Sequence, residues 1–512
     1  MKLILDGTAL RLDDLRPLLS GASIELELSE AARVRVVAAR DLVDTAVDEE
    51  RVVYGLTTGF GRLKSVSVAT EDLTTLQRNL VLSHCCGFGE PLSPAEVRAI
   101  TILRLNGLAR GHSGVRLELI ERWIRLFNAG FVPVVPQQGS VGASGDLAPL
   151  SHLAAAACLG VGEAWFGDER MDAAEALRRA GEEPIELAAK EGLALINGTE
   201  VMKGIGALTT LRARNVAKAA DIVGALSIEG LFGSLKPFDA RLAELKGHAG
   251  HARTALNVRR LLHESSVLTS HADCDRVQDP YCLRCMPQVH GSFKAALEHV
   301  EQIFAGELNA VTDNPILFPE TGEVISAGQF HGQPVSVVLD YLGLAACTVA
   351  NISERRIEQL VNPDLSRLPA FLTPNPGLNS GLMIAQVSAA SLASENKSLA
   401  HPASVDTIPT SANQEDHVSM GTTAARKARS IVTNVERVLG IEWICSSQAR
   451  EFHPDLRAGR GAQAAYELLR EVVPALGDDR YLHPDLTAAT EQLASGALVE
   501  RVEAALGEAL EA

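Results

Sequence analysis

Apolar residues recur at helical spacing over several long stretches of the chain, separated by clusters of glycine and proline. The pattern predicts long helices at about residues 199–232, 287–311, 334–361, 378–400 and 417–450. A helix of roughly 34 residues spans about 50 Å, which exceeds the length that a small domain can bury. We therefore expect a mainly α fold, an elongated bundle of long helices that packs against itself or against other subunits.

Shorter elements are predicted near the N-terminus and between two of the long helices. The alternation Ile-Glu-Leu-Glu-Leu at residues 24–28 is typical of a strand, and Ser29 can cap a helix that continues to about residue 50. Ser-Pro-Ala-Glu at residues 93–96 supplies an N-cap, a proline at the first helical position and a capping-box glutamate, so a helix should follow to about residue 111. Residues 316–325 have the pattern of a small hairpin.

Two regions follow from the distribution of these elements. Residues 1–200 are expected to form a smaller N-terminal region with a few short strands and a glycine-rich loop. Residues 201–512 are expected to form the long-helix bundle, including the C-terminal helices.

The composition limits the partners of the protein. Its formal net charge of -17 argues against a general affinity for nucleic acid or anionic lipid, because both attract a basic surface. The N-terminus turns polar before an apolar segment of signal-peptide length forms, and no run reaches the ~18 to 20 apolar residues of a membrane helix. We expect a soluble, cytoplasmic protein that contacts no membrane.

Eight cysteines in a chain of 512 residues without a secretory signal are expected to be reduced. Cys282 and Cys285 form a C-x-x-C pair, but no second pair or nearby histidine at ligand spacing completes a zinc site. The sequence therefore predicts no metal site.

The least usual segment is rich in glycine and serine and comes directly before an apolar helical run, at residues 139–150. By itself it is typical of a tight turn and a helix cap. It does not match the G-x-S-x-G pattern of a nucleophilic serine, because one residue is missing. The tripeptide Ala143-Ser144-Gly145 does permit a backbone cyclisation, because glycine lacks the Cβ atom that would block attack of its nitrogen on the alanine carbonyl.

At this point a family resemblance appears. Gly-Ala-Ser-Gly-Asp-Leu-Ala-Pro-Leu-Ser-His at residues 142–152 resembles the signature of the aromatic amino acid ammonia-lyases and aminomutases. Four more segments resemble motifs of that family in the same order, at residues 54–61, 194–200, 277–281 and 413–417. The resemblance implies a methylidene-imidazolone (MIO) electrophile formed from Ala143-Ser144-Gly145 with no external cofactor, and a homotetramer with active sites shared between subunits.

The resemblance also assigns roles to individual residues. Tyr54 matches the catalytic tyrosine, whose phenolate can remove a β-proton if its environment lowers its pKa from the ordinary value of ~10. Arg284 matches the arginine that binds the substrate carboxylate, for which a planar bidentate donor is better suited than lysine. Asn197, Gln278 and Tyr281 are implied to orient the substrate and polarise the electrophile.

Three further positions match the family at the electrophile and at the substrate side chain. Phe330 corresponds to a phenylalanine packed close to the electrophile. His84, after Ser83, and Glu415 resemble the histidine-specific branch, because a carboxylate can pair with an imidazole ring but would be uncompensated beside a phenyl ring. A structural histidine at position 84 is the alternative.

The expected reaction is the deamination of L-histidine to trans-urocanate and ammonia, the first step of histidine degradation. The substrate amine is expected to add to the alkene derived from Ser144, with attack by the substrate ring as the alternative, and Tyr54 is expected to remove a β-proton. The alternatives are an aminomutase, a tyrosine or phenylalanine lyase, a non-catalytic helical assembly protein and a hydrolase that uses Ser144 with Asp146 and His152.

A few residues differ from the common family pattern. Gln329 stands where asparagine is usual, next to Phe330, and Cys85, Cys86, Cys282 and Met286 also depart from common choices. These differences bear on rate and selectivity more than on the class of reaction.

Overall fold

The computed structural model describes residues 1–51, 53, 55, 58–59, 61–63, 68–272 and 276–512. Its α-helices are numbered here in chain order. They are α1 (Glu30–Asp48), α2 (Leu73–His84), α3 (Pro94–Ala109), α4 (Leu117–Asn128), α5 (Leu147–Ala154), α6 (Ala173–Arg179), α7 (Glu191–Ile196), α8 (Glu200–Gly230), α9 (Ala240–Lys246), α10 (Ala249–Leu261), α11 (Ser266–Ser270), α12 (Tyr281–Arg284), α13 (Met286–Glu307), α14 (Gln333–Val361), α15 (Pro363–Ser366), α16 (Met383–Leu399), α17 (Gly421–Arg450), α18 (Arg460–Val472), α19 (His483–Ala494) and α20 (Ala497–Leu506). The predicted mainly α fold is confirmed, and the five long predicted helices correspond to α8, α13, α14, α16 and α17.

Shorter helical turns and strands complete the chain. A π-helical turn, Ala155–Leu159, continues α5, and 3-10 turns lie at Leu12–Ser20, Gly61–Leu63, Thr70–Asp72, Lys236–Phe238, Ala370–Leu372 and Ser411–Asn413. The strands are β1 (Lys2–Leu5), β2 (Glu25–Leu28), β3 (Phe88–Pro91), β4 (Phe131–Pro133), β5 (Pro136–Gln138), β6 (Glu163–Phe166), β7 (Glu169–Asp172), β8 (Ile316–Phe318) and β9 (Glu323–Ile325). Strands β1 and β2 pair in parallel, β4, β6 and β7 form an antiparallel sheet, and β3 pairs with β5. The predicted hairpin is the antiparallel pair β8 and β9.

Two predicted helix starts have the capping contacts that their sequences indicate. The Ser29 side chain accepts a hydrogen bond from the backbone N–H of Ala32 at the start of α1. At the start of α3, Ser93 accepts from the N–H of Glu96 while the Glu96 carboxylate accepts from the N–H of Ser93 at 2.9 Å. Each contact satisfies donors that would otherwise lack a partner in the first turn.

The chain divides into two compact units. Unit 1 comprises Met1–Leu208, Glu301–Asp340 and Pro402–Arg426, and unit 2 comprises Thr209–Val300, Tyr341–His401 and Lys427–Ala512. The division of the sequence after residue 200 stays a prediction.

One helix corrects the expectation about apolar runs. Within the described residues, α14 is long and apolar enough to cross a membrane by length and composition alone. Of its most apolar window, 67% is buried within the protein. The core helix of a soluble protein meets the same criterion.

The core of unit 2 includes the parts of α8 and α17 that belong to it, and most of their residues are buried. Trp443 and Phe293 are buried there, as is the alkyl chain of Met286. Gly224 on α8 leaves room for Met286, because a Cβ atom there would lie 2.4 Å from the Met286 Cε. Helices that pack on several sides can bury charged groups only when those groups are paired.

Candidate functional site

The tripeptide Ala143-Ser144-Gly145 forms a tight turn at the N-terminal end of α5, in unit 1. Ser144 has φ of 50° and Gly145 has φ of 77°, so two successive residues adopt the left-handed region. An L-residue in this region costs about 1 to 2 kcal/mol, and such strain persists only where surrounding contacts impose it. The turn is therefore held by its neighbours.

Gly145 packs directly against the backbone of Gly198. The two residues form an isolated parallel bridge, and a Cβ atom on Gly145 would lie 2.0 Å from the Gly198 carbonyl oxygen. That carbonyl accepts a hydrogen bond of 2.7 Å from the N–H of Asp146. Only glycine fits at position 145 without moving this segment.

Asp146 fixes the turn through hydrogen bonds of its side chain. Its fully buried carboxylate accepts hydrogen bonds from the hydroxyl of Thr422, from the N–H of Met202 at 2.9 Å and from the hydroxyl of Ser140 at 3.0 Å. Burial raises the pKa of Asp146 to about 6, even though these hydrogen bonds act in the opposite direction. The side chain thus joins the tripeptide to α8 and to α17.

Asn197 lies beside the tripeptide, as the sequence motif predicts. Its Nδ2 donates to the carbonyl oxygen of Ser144 at 2.9 Å, and its side chain is only 2% exposed. Its Oδ1 is buried and has no hydrogen-bond partner within the described part of the chain. A buried polar atom without a partner is costly in a finished structure, and here it lies next to the proposed electrophile.

The position of Asn197 depends on a buried ion pair that the sequence did not indicate. Arg104 donates to the Asn197 carbonyl oxygen at 2.9 Å and to the Glu200 carboxylate at 2.7 Å. Burial alone would raise the pKa of Glu200, but the charges of Arg104 and Lys203 lower it to about 2. The Glu200 carboxylate therefore stays ionised and remains paired with Arg104.

His84 stands at the last residue of α2 and lines the same cavity as the tripeptide. Its Nδ1 lies 2.8 Å from the Leu80 carbonyl oxygen, which can only accept, so Nδ1 carries the proton. In the neutral tautomer with its proton on Nδ1, the Nε2 atom is the acceptor of the ring. The hydroxyl of Ser83 lies 3.1 Å from the same Nδ1.

Glu415 faces the tripeptide from a loop of unusual geometry. The Ser144 hydroxyl donates to Glu415 Oε1 at 3.3 Å, and the Thr410 hydroxyl donates to Oε2 at 2.7 Å. Residues 411–413 all have positive φ, between 50° and 68°. This left-handed run and the bridge from Thr410 to Glu415 turn the carboxylate toward Ser144.

These side chains line one cavity of about 390 Å³ in unit 1. Such a volume is within the range of small-molecule sites. Its apolar wall comprises Leu76, Leu80, Leu147, Leu193 and Ile196, and its polar groups include Asn79, Ser83, His84, Ser144, Asn197, Asn314, Ser411 and Glu415. The structure therefore brings together four residues predicted from the sequence: His84, Ser144, Asn197 and Glu415. Asn79 and Asn314 were missed, because an asparagine in a helix or before a proline carries no distinctive signal.

The remaining predicted residues either do not line this cavity or lie outside the described residues. Tyr54 lies outside the described residues. Gln278, Tyr281 and Arg284 belong to unit 2 and are not among the described residues that line the cavity. Tyr281 is 70% exposed, and the Arg284 guanidinium lies 4.4 Å from its ring centroid.

Phe330 belongs to unit 1 but does not line this cavity. It is half-buried in a turn between β9 and α14. Its neighbour Gln329 is exposed and lines a separate cavity of about 270 Å³ with Arg110, His112 and Phe318.

The contacts of Ser144 differ from those of a serine nucleophile. His152 Nε2 accepts from the N–H of Gly87 at 3.0 Å, and Asp146 is engaged with the residues that anchor the turn. Among the described contacts, the Ser144 hydroxyl meets a carboxylate rather than an imidazole. Within the described residues, the surroundings of Ser144 therefore differ from a serine–histidine pair.

Cysteine chemistry is also suppressed near the C-x-x-C pair. Burial raises the pKa of Cys282 to about 11, which disfavours the thiolate that a metal or a redox reaction needs. Within the described ranges, no group of three or more His, Cys, Asp or Glu side chains is arranged to hold a metal ion.

The residues present fit the electrophile that the family resemblance implies. Gly145 leaves no side chain in the path of ring closure, and its approach to Gly198 keeps the backbone tightly bent. Ser144 is held in a left-handed conformation with its carbonyl oxygen bound by Asn197. Ala143, Ser144 and Gly145 would carry the group, with Asn197 beside it.

Comparisons with known proteins identify the family of the chain. The family model described as aromatic amino acid lyase matches residues 10–471. A histidine ammonia-lyase of Caldanaerobacter subterraneus subsp. tengcongensis is 50% identical over 481 residues, which cover 94% of each chain. The crystal structure of histidine ammonia-lyase from Trypanosoma cruzi has a TM-score of 0.91 at 43% identity and covers 99% of this chain and 96% of that chain. Tyrosine aminomutase from Streptomyces globisporus has a TM-score of 0.94 at 34% identity, with 100% of both chains covered. The resemblance seen in the motifs is thereby confirmed, and the chain belongs to the aromatic amino acid lyase family.

Proposed function

We propose that this carbon–nitrogen lyase converts L-histidine to trans-urocanate and ammonia. The observation that carries the proposal is the meeting of His84, Glu415 and Ser144 in one cavity, with Ser144 Oγ 3.3 Å from the Glu415 carboxylate. An imidazole ring has one N–H donor and one acceptor nitrogen. The Glu415 carboxylate can accept this N–H, and the His84 ring lines the same cavity as a second polar contact.

The carboxylate gives the selectivity of the proposed site. A phenyl ring cannot pair with Glu415, so a half-buried charge would lose solvent without compensation when such a substrate binds. The curated relative at 50% identity is named as a histidine enzyme, which favours the same substrate.

Cyclisation of the tripeptide balances as the loss of two waters. The nitrogen of Gly145 bonds to the carbonyl carbon of Ala143, whose oxygen leaves as one water, and the Ser144 hydroxyl leaves with the α-proton as the second. The product supplies an electrophilic alkene at position 144, a function that ordinary side chains lack. Loss of the hydroxyl also removes the donor to Glu415 Oε1, which frees that oxygen for a ligand.

The remaining roles belong to residues of the chain itself. Asn197 holds the carbonyl oxygen of residue 144, and Tyr54 is proposed as the base for the β-proton. Gln278, Tyr281, Arg284 and Phe330 are proposed to bind the substrate and close the site.

Enzyme assay and intact mass test the proposal together. Purified protein is incubated in parallel with L-histidine, L-tyrosine and L-phenylalanine, and the products are separated by chromatography. Urocanate and ammonia from histidine, with a mass two waters below that of the sequence, are expected. Ser144→Ala should abolish both the mass loss and the activity. Full activity of that variant would overturn the proposal.

The same chain offers evidence for shared active sites. Tyr281 and Val277 are 70% and 98% exposed, so the apolar surface of this segment is available to another subunit. We propose a cytoplasmic homotetramer in which Gln278, Tyr281 and Arg284 serve the cavity of another subunit. Mixed tetramers of inactive Ser144→Ala and inactive Arg284→Ala chains should then regain activity. No recovery after co-expression, with tetramers present by light scattering, would contradict shared sites.

An aminomutase is the second candidate, favoured by the TM-score of 0.94 to a tyrosine aminomutase. That reaction would return ammonia to the β-carbon. A β-amino acid among the products would support it against the lyase.

A further inference from the structure

Five charged or titratable side chains form a continuous hydrogen-bonded chain through the interior of unit 2. We call this set the buried polar chain. Its members are at most 1% exposed and come from four helices, α8, α13, α14 and α17. In order along the chain of contacts, they are Lys294, Asp221, His290, Arg356 and Glu442. The lyase chemistry proposed above uses none of them.

The contacts fix the tautomer of His290. Its Nε2 lies 3.4 Å from Nη1 of Arg356, which can only donate, so Nε2 must accept. The proton therefore resides on Nδ1, which donates to Asp221 Oδ1 at 2.8 Å. Burial lowers the pKa of His290, which agrees with a neutral ring.

Arg356 is held from every side. Its Nε and Nη2 bind the Glu442 carboxylate at 2.5 and 2.8 Å, and Nη1 divides its donors between His290 and the carbonyl oxygen of Cys282 at 3.4 Å. Glu442 also accepts from the hydroxyls of Ser227 and Ser353. A guanidinium with this many partners has one orientation.

The Cys282 carbonyl belongs to α12, the single turn that ends in Arg284. Arg284 Nε donates to the Asp279 carbonyl oxygen at 2.9 Å, and the Asp279 carboxylate accepts from the N–H of Ser234 at 2.7 Å. Arg356 thus reaches the turn from the interior, while Asp279 fixes the segment before it. A turn of four residues has too few internal hydrogen bonds to hold itself.

We propose that the buried polar chain positions Arg284 for the substrate carboxylate, with His290 and Arg356 as positioning residues that act through the Cys282 carbonyl. This inference rests on the proposed function. It requires that the hydrogen bond between His290 and Arg356 sets the geometry of Arg284. A polar side chain at position 290 that lacks this hydrogen bond should not be sufficient.

Two substitutions of His290 separate these requirements. In His290→Gln, the side-chain oxygen can occupy the place of Nε2 and accept from Arg356. In His290→Asn, the shorter amide can occupy the place of Nδ1 and donate to Asp221, but it leaves Arg356 without its acceptor. Ser227→Ala is the control, because it removes a donor to Glu442 Oε1 while leaving every acceptor of Arg356 in place.

The decisive readout compares ligands with and without a carboxylate. Wild-type turnover of L-histidine is measured first, since its absence would contradict the proposed function itself. If another aromatic amino acid is the substrate, it is paired with its own decarboxylated amine in the same way. Inhibition constants are then measured for histamine, and KM and kcat for L-histidine.

His290→Asn is expected to raise KM for L-histidine by about 10- to 100-fold, the loss typical of a misplaced charged hydrogen bond, and to leave inhibition by histamine within twofold. His290→Gln and Ser227→Ala are expected to remain within about threefold of the wild type in both. Equal weakening of histidine and histamine, or equal effects of Asn and Gln, would overturn the proposal and leave a structural role only. If His290→Asn fails to fold, Arg356→Lys replaces it, with the same carboxylate-specific loss expected.

Discussion

Replacing Gly145 by alanine puts a methyl group where the structure has no room. The new Cβ would lie 2.0 Å from the Gly198 carbonyl oxygen, whereas real Cβ contacts essentially never fall below 3.0 Å. The two segments must separate by about 1 Å, which breaks the hydrogen bond of 2.7 Å from the Asp146 N–H to that oxygen. The substitution therefore acts on the strained turn through its tightest contact.

Gly181 provides a matched control for the cost. It has the same φ of 77° as Gly145, but nothing lies within 4 Å of its added Cβ. Gly181→Ala should lower the free energy of unfolding by about 1 to 2 kcal/mol, the cost of a left-handed L-residue. Gly145→Ala should cost a further 1 to 3 kcal/mol or so, because buried backbone groups lose their partner.

Urea unfolding and intact mass report on the two effects. We expect the unfolding midpoint to fall in the order wild type, Gly181→Ala, Gly145→Ala. The wild type and Gly181→Ala should lack two waters, whereas Gly145→Ala should retain the uncyclised mass and lose activity. If Gly145→Ala matched Gly181→Ala in midpoint, mass and turnover, the close approach to Gly198 would have no role in holding or cyclising the turn.

Three other perturbations follow from buried or paired groups of unit 1. Lys190→Met leaves Asp313 without its partner in a fully buried ion pair of 2.7 Å and should lower the free energy of unfolding by about 3 to 5 kcal/mol. The double variant Lys190→Met, Asp313→Leu should recover most of this loss when unfolding is measured in urea. If it recovers none, an unpaired buried charge is not the cause. The pKa of Asp146 is about 6 in the folded protein, above its ordinary value of 3.8. The stability that comes from binding this proton is therefore fully present below pH 3.8 and is lost as the pH rises through 6, which lowers the free energy of unfolding by about 3 kcal/mol. Asp146→Asn should flatten that part of the profile of unfolding free energy against pH, and an unchanged slope would assign it to other groups. Glu415→Gln should reduce kcat/KM for L-histidine roughly 10- to 30-fold by replacing a charge-assisted hydrogen bond with a neutral one; an unchanged value would remove Glu415 from ring recognition.

The helices could be predicted because their signals are local. Each helix signal, a capping residue or the 3.6-residue periodicity, involves residues that are close together in the sequence. The observed α1 and α3 begin directly after the predicted caps Ser29 and Ser93. The division into units was not accessible in the same way. Unit 1 takes residues from three separate stretches of the chain, and contacts between distant stretches leave no periodic pattern.

The candidate site shows the same limit more sharply. The motif around Ser144 identified the tripeptide, yet its hydrogen bond to Glu415 joins residues 271 positions apart, and that of Asp146 to Thr422 spans 276. The left-handed run at residues 411–413 was also not predicted, because two of its three residues, Ser411 and Ala412, do not mark such a conformation as glycine does. Chemistry-bearing residues were found by motif, whereas their geometry depends on long-range packing.

Charged residues inside the helices of unit 2 explain why periodicity misjudges polar positions. A charge in a helical pattern is ordinarily assigned to the solvent-facing side, but Asp221 and Arg356 are fully buried. A helix that is apolar around most of its circumference has no solvent side, so any charge on it must meet an opposite charge. The sequence thus requires that such residues be paired, but it does not specify the partners, since Asp221 meets Lys294 from 73 residues away and Arg356 meets Glu442 from 86. The need for pairing is a local consequence of hydrophobic pattern, and the choice of partner is a property of the fold.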